Sequence, residues 1–387
     1  MNAPTPTHSR PRWPDAILVL LFLVLISAPY VARQWEVGPD PALSERRKPA
    51  IKPRLAWNWR ALAAYPGLYD KYYNDHFGLR GYLIDAYNHL LVRELGVSPK
   101  SDVILGKHGW LFYGAQNAVD VYRSPEPFTD KELDDWRWNL LLRREWLARK
   151  GIPYIIVIAP DKAGVYPEYL PDWIVPATTE SRTDQWVNFM RATTDLVIVD
   201  LRGPMKAAKG DRLLYHKADT HWNDLGAFVG YTEMMMAIGR VLPSVQPRPL
   251  SDYRIYQRAN PRGDLAGMLG MDDFFEWHPA LAANFPTAAT LAQPRIRSDE
   301  WARWRVYMAL ATESRDRSLP RAVVFNDSYF YGVIPYFAEH FSRAVYVHMR
   351  PDRFAPELIE REKPDVVVQE LVERWFGRMP DTEETLF

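Results

Sequence analysis

Residues 152–160 read Ile-Pro-Tyr-Ile-Ile-Val-Ile-Ala-Pro, an apolar run bounded by Pro153 and Pro160. It is too short for a buried helix and shows no alternation of polar and apolar positions. A short, continuously apolar, β-branched run reads as a strand buried on both faces, as in the interior of a parallel sheet. Upstream, Thr129 and Glu132 form a capping box before a helical stretch of 130–150 that stops at Gly151. Downstream, helical pattern at 179–193 precedes a second strand, DLVIVD (195–200). A helix is expected over 224–240, and further strands at RAVVFN (321–326), RAVYVHM (343–349) and DVVVQEL (365–371). Helices fall between them at about 330–341 and 354–361. This alternation predicts an α/β fold, a parallel sheet flanked by helices on both faces.

In such sheets chemistry collects beyond the carboxyl ends of the strands. Three places qualify. Asp161 and Lys162 follow the first strand; they suit either a pocket lining or a structural ion pair. Asp219-Thr220-His221-Trp222-Asn223 follows the second, with Asn223 or Asp224 available to cap the next helix. Asn326-Asp327-Ser328-Tyr329 follows the third. A serine at a helix start can expose its hydroxyl and use free backbone N–H groups to hold an oxyanion. It stays a weak nucleophile until an imidazole takes its proton and an acid orients that imidazole. Residues i and i+2 of a turn point to one side, so Asp219 can reach Nδ1 of His221 while Nε2 faces outward. A capping serine, a plain surface turn, and a metal set of Asp219, His221 and His216 are the alternatives. Trp222 and Tyr329 are candidates for contact with substrate, and Asn326 for the oxyanion. Tyr166, Tyr169, Arg80 and His108 read as structural, and Gly263-Asp264 as a plain turn or a loop over the site.

The remaining features bound the setting. The 387 residues carry 48 basic and 48 acidic side chains, so no electrostatic footprint for nucleic acid exists. Without cysteine, thiol catalysis, disulfides and thiolate metal sites are excluded. Fifteen tryptophans suit core packing, with a few available for stacking on sugars. AILVLLFLVLISAPYVA (16–32) is uncharged and bracketed by Trp13 and Trp35. It predicts one membrane-spanning helix at 16–35, with Arg10 and Arg12 keeping a tail of 1–15 in the cytoplasm. A cleaved leader would need small residues in an A-x-A pattern, which the end of the run does not offer. Residues 36–60 read as a linker, 61–387 as the catalytic domain, and 242–300 as an irregular insertion without a clear period.

Five segments together carry a resemblance: DTHWN, FNDSYF, the HGWLFYG hairpin, NDHFGLR and APDKAGVYPEYLP. They resemble the SGNH-hydrolase-like domain of the alginate O-acetyltransferase family, over about residues 65–375. The resemblance implies a triad of Ser328 as nucleophile, His221 as general base and Asp219 as orienter. The Asp-His pair precedes the serine, a permuted order relative to ordinary SGNH hydrolases. Asn326 stands where relatives often carry glycine. The implied function is a bacterial inner-membrane, single-pass enzyme with its catalytic domain in the periplasm. It would acetylate sugar hydroxyls of a polysaccharide acceptor through an acetyl-serine, beside a membrane-bound O-acyltransferase partner. No cofactor and no metal are expected. A carbohydrate deacetylase with the same triad, and a non-catalytic polysaccharide-binding subunit, are the competing readings.

Overall fold

The computed structural model of the protein describes residues 13–35, 37, 48–260, 263–271 and 273–377. Arg10, Arg12 and, of the expected linker, residues 36 and 38–47 lie outside the described residues. The chain forms two compact units, Met1–Pro99 with Gly267–Met271, and Lys100–Ala266 with Asp272–Phe387.

In the first unit, the helix Trp13–Gln34 is 22 residues long with a mean hydropathy of 2.3 over its apolar window. At about 1.5 Å per residue it measures ~33 Å, enough to cross a hydrocarbon core of ~30 Å. It outruns the apolar stretch because Trp13-Pro14-Asp15 supplies a first turn, with Asp15 at the positive end of the helix dipole. The helices Trp59–Asp75 and Arg80–His89 also belong here. Asn88 is their one buried residue, its amide donating to the Leu269 carbonyl at 2.6 Å. The sheet-bearing unit thus begins at Lys100, whereas the sequence suggested a domain start at 61. The helical stretch 59–89 contributes no apolar residue to a buried core.

In the second unit, a hairpin of β1 (Val103–Leu105) and β2 (Leu111–Tyr113) precedes a seven-stranded sheet. Its strands are β3 (Tyr154–Ala159), β4 (Val197–Asp200), β7 (Thr290–Ala292), β8 (Met308–Glu313), β9 (Arg321–Asn326), β10 (Arg343–His348) and β11 (Val366–Val372). The order is β4-β3-β11-β9-β10-β8-β7. The first five are mutually parallel, at the places the sequence predicts; β8 and β7 add antiparallel. The sheet is therefore mixed, and these two additions at its edge were not read from the sequence. Leu291 is 79% exposed and Met308 44%.

Side chains alternate between two layers, as the two-residue period of a strand requires. Ile155, Val157, Val324 and Val368 point into one core with Phe228, Tyr231 and Met235 of the helix Asp224–Val241. Ile156, Ile158, Val323 and Val367 point into the other. That layer is closed by Leu140 and Leu147 of the helix Asp130–Ala148, Trp186 of Arg182–Thr193 and Leu358 of Pro356–Glu362.

The insertion is not irregular. It contains an antiparallel pair, β5 (Tyr253–Asn260) with β6 (Glu276–Ala283), and the short helix Asp264–Leu269 between them. The helix expected at 330–341 is broken into Ser328–Gly332, Ile334–Phe337 and Ala338–His340. Pro335 has no N–H to donate, so it can only stand in the first turn of a helix.

Candidate active site

Asp219, Thr220 and His221 lie in a loop held on every side. Tyr215 and Trp222 form an antiparallel bridge, so the segment doubles back on itself. Each backbone carbonyl from His216 to His221 accepts a hydrogen bond. The Lys162 ammonium donates to the carbonyls of His216 (3.0 Å), Lys217 (3.0 Å) and Asp219 (2.7 Å). The N–H of Leu111, in the hairpin, also reaches Lys217 O at 2.9 Å, and Leu265 and Ala266 donate to Ala218 O at 3.2 Å. Tyr329 Oη donates to Thr220 O at 2.9 Å, and His216 N–H to His221 O at 3.3 Å. Asn223, not Asp224, caps the following helix, accepting from Leu225 and Gly226 at 3.0 and 3.2 Å. A loop with all its acceptors satisfied has little freedom to rearrange.

That rigidity orients two side chains. Asp219 Oδ1 accepts from the His221 backbone N–H at 3.0 Å and lies 2.8 Å from His221 Nδ1. The proton is thereby fixed on Nδ1, and Nε2 is left as an acceptor 2.7 Å from Ser328 Oγ. Burial works against a charged imidazole, but the hydrogen bond and charge of Asp219, with Asp264 behind it, more than offset it, and His221 titrates above its ordinary range. For Asp219, burial is likewise outweighed by the hydrogen bond and charge of His221, and its carboxyl sits well below the usual range.

Ser328 comes from β9, in the middle of the sheet. Asp327 caps the turn that follows: Oδ1 accepts from Tyr329 N–H at 2.9 Å and Oδ2 from Val372 N–H at 2.8 Å. The capping role thus falls to Asp327 and leaves the Ser328 hydroxyl to His221. As the first residue of the 3₁₀ turn Ser328–Gly332, Ser328 has a backbone N–H with no intrahelical acceptor.

The other residues singled out from sequence have different work. Lys162 is buried and, among the described residues, makes no ion pair; burial lowers its ammonium to about 7 against the pull of Asp219, Asp264 and Glu276. Asp161 pairs with Arg374 (Nη2–Oδ1 3.2 Å) and accepts from its backbone N–H at 2.9 Å. It also lines a cavity of about 780 Å³ with Asp200, Arg202 and Glu373; neither Ser328 nor His221 lines that cavity. The pair opens instead on a partly exposed rim. Trp222 and Tyr329 are core residues, 4% and 1% exposed, joined by a 3.0 Å bond from Trp222 Nε1 to Tyr329 O. They support the loop and cannot serve as stacking walls. Asn326 is buried and one N–H of its Nδ2 donates to Asp327 O at 2.6 Å, inside the turn. His216 bonds Glu276 through Nδ1 at 2.9 Å and takes no part in a metal set with Asp219 and His221. Tyr169 stacks on Trp110 (4.4 Å between centroids), and the Tyr166 hydroxyl accepts from Leu214 N–H at 3.0 Å.

One residue does more than expected. Asp264, read from sequence as a plain turn or a loop over the site, reaches the loop: its N–H donates to Asp219 Oδ2 at 2.9 Å. Its Oδ1 accepts from Thr220 N–H (2.7 Å) and lies 3.1 Å from Thr220 Oγ1, and Oδ2 is 3.8 Å from His221 Nδ1. Only the Gly-Asp pair, with no period around it, signalled this role.

Comparison with known proteins gives the family. Residues 103–300, just over half of the chain, match the family model described as SGNH hydrolase-like domain, acetyltransferase AlgX. Asp219 and His221 fall inside the match, Ser328 beyond it. A probable alginate O-acetylase AlgJ of Pseudomonas aeruginosa is 28% identical over 174 residues, covering 45% of this chain and 42% of that protein. The AlgJ relative of Azotobacter vinelandii is 27% identical over 212 residues, 54% of this chain and 52% of its own. The chain thus spans about half the length of the curated relatives it matches. Among solved structures, Bacillus cereus PatB1 superimposes with a TM-score of 0.51 at 15% identity, over 73% of this chain and 99% of that one, a likeness of fold. The chain belongs to the family of SGNH hydrolase-like domains represented by the acetyltransferase AlgX.

Proposed function

We propose that the protein is an extracytoplasmic polysaccharide O-acetyltransferase that works through an acetyl-serine. The observation that carries this reading is the unbroken line Asp219 Oδ1–His221 Nδ1 (2.8 Å) and His221 Nε2–Ser328 Oγ (2.7 Å) on an accessible rim. Ser328 Oγ attacks the acetyl carbonyl as its proton moves to Nε2; Asp219 steadies the imidazolium that forms. The Ser328 N–H, at the open end of its turn, faces the developing oxyanion. Collapse returns the proton to the leaving group. A sugar hydroxyl then gives its proton to Nε2, takes the acetyl group, and the serine is restored.

The names of the AlgJ relatives support a sugar rather than water as acceptor. The apolar helix Trp13–Gln34 would anchor the chain in a bacterial inner membrane with the sheet-bearing unit in the periplasm. Acetyl groups would then have to be supplied across that membrane, the task of a membrane-bound O-acyltransferase partner.

The test supplies purified protein with p-nitrophenyl acetate and acetyl-free oligosaccharides. Nitrophenol release that rises with added oligosaccharide, with acetyl appearing on the sugar by mass spectrometry, is expected, and Ser328→Ala should abolish both. Acetate release alone, indifferent to sugar, would mark a deacetylase. Polymer acetylation unchanged in cells carrying Ser328→Ala would mark a non-catalytic subunit.

A further inference from the structure

The insertion that lacks any sequence period delivers part of the base. Gly263 enters the loop so closely that a Cβ there would stand 2.0 Å from the Ala218 carbonyl oxygen and 2.7 Å from Asp219 N. Nothing but glycine allows that approach. The three following N–H groups then close on the loop: Asp264 on Asp219 Oδ2, Leu265 and Ala266 on Ala218 O. The carboxylate of Asp264 folds back under Thr220, within 3.8 Å of the imidazole. From this juxtaposition we infer that Asp264 is a positioning residue of the base, fixing the Asp219–His221 turn and adding a second negative charge behind the imidazole.

The inference rests on the triad reading but makes its own demand. Asp219 already satisfies Nδ1, and a structural clasp could have been completed by asparagine. The carboxylate adds a charge that acts on His221 and, with Asp219 and Glu276, on Lys162. Burial, then the charge of Asp219, holds Asp264 above the usual carboxyl range, while the charge on His221 draws it back. The other groups facing the imidazole are Arg374, which opposes its protonation, the Tyr329 ring at 5.0 Å, His348, whose own titration is linked to that of His221, and Lys162 behind Asp219. Lys162 also feels the charge of Asp264, so a change there acts on both groups, and the midpoint of His221 reads the part that reaches the imidazole.

The experiment is a histidine-selective NMR titration of the intact chain in nanodiscs, with His221 assigned by its loss in His221→Gln. It needs no turnover, so it stands even if the acetyl-transfer reading fails; labelling of Ser328 tests that reading on its own. Asp264→Asn keeps the acceptor for Thr220 and removes the charge. At a separation near 4 Å in a partly solvated site, the midpoint of His221 should fall by about one pH unit. Asp264→Glu should recover at least half of the fall. A midpoint in Asp264→Asn within about 0.2 of the wild type would overturn the inference and leave a plain clasp. Should that variant not fold, Gly263→Ala, which forces the carboxylate away from the loop, is read by the same criterion.

Discussion

At the scale of single residues, His221 and Lys162 make opposite demands on the solvent. His221 must be neutral at Nε2 to accept the serine proton, yet burial is overcome by Asp219 and its titration lies above the ordinary value of about 6.5. The acidic limb of activity should therefore sit above pH 6.5, checked by the pH dependence of nitrophenyl acetate turnover. The same shift means that the protonated ring stabilises the folded chain below about pH 6.5, a contribution that fades as pH rises through the folded-state value. Asp219→Asn should lower turnover by roughly 10³–10⁴-fold, because the proton on Nδ1 loses its fixed partner. Lys162 is a support whose three donors are all in use. Lys162→Met leaves three carbonyls short of their lysine donor. It should cost at least ~2 kcal/mol in urea unfolding and lower turnover without moving the pH midpoint below that of a free imidazole.

At the scale of elements, the turn after β9 decides where Ser328 stands. Asp327 ties that turn to Val372 at the end of β11, so serine position and strand pairing are one structure. Asp327→Ala loses the cap and the tie and should destabilise by about 1–3 kcal/mol. Turnover should fall more than the unfolded fraction explains, measured by denaturant titration beside the assay. What was legible in the sequence follows the same division. The five parallel strands were readable because burial on both faces forces continuous apolar runs such as IPYIIVIAP. The capping box at Thr129 and the cap at Asn223 were readable because they satisfy backbone donors locally. The Asp219–His221–Ser328 line was readable because an acid and a histidine two apart, with a serine after a buried strand, suit one hydrogen-bonded chain, which the structure shows. The antiparallel edge, β5 and β6, and the reach of Asp264 were not. Their pairings are long-range, and their residues alternate too weakly to announce a strand. Trp222 and Tyr329 could not be divided between core and substrate contact for a related reason: aromatic character near a site does not say which way the side chain faces.

At the scale of the molecule, two apolar layers clamp the sheet, and strand residues divide between them one by one. Ile156 is fully buried in the layer opposite the helix Asp224–Val241. Ile156→Ala should cost about 2–5 kcal/mol and lower the melting temperature while leaving the residual rate per folded molecule unchanged. The apolar helix at the other extreme of the chain is a separate device. Removal of residues 1–35 should shift the protein from the membrane fraction to the soluble one without altering turnover of a small ester, read by fractionation and assay together.

Everything turns on whether the Ser328 hydroxyl is the nucleophile that His221 activates. Treatment of the intact protein with a sulfonyl fluoride, followed by peptide mapping, measures this directly. A single adduct on Ser328, forming at least a hundredfold more slowly in His221→Ala, is the predicted result; an adduct on another residue, or a rate indifferent to His221, would contradict it.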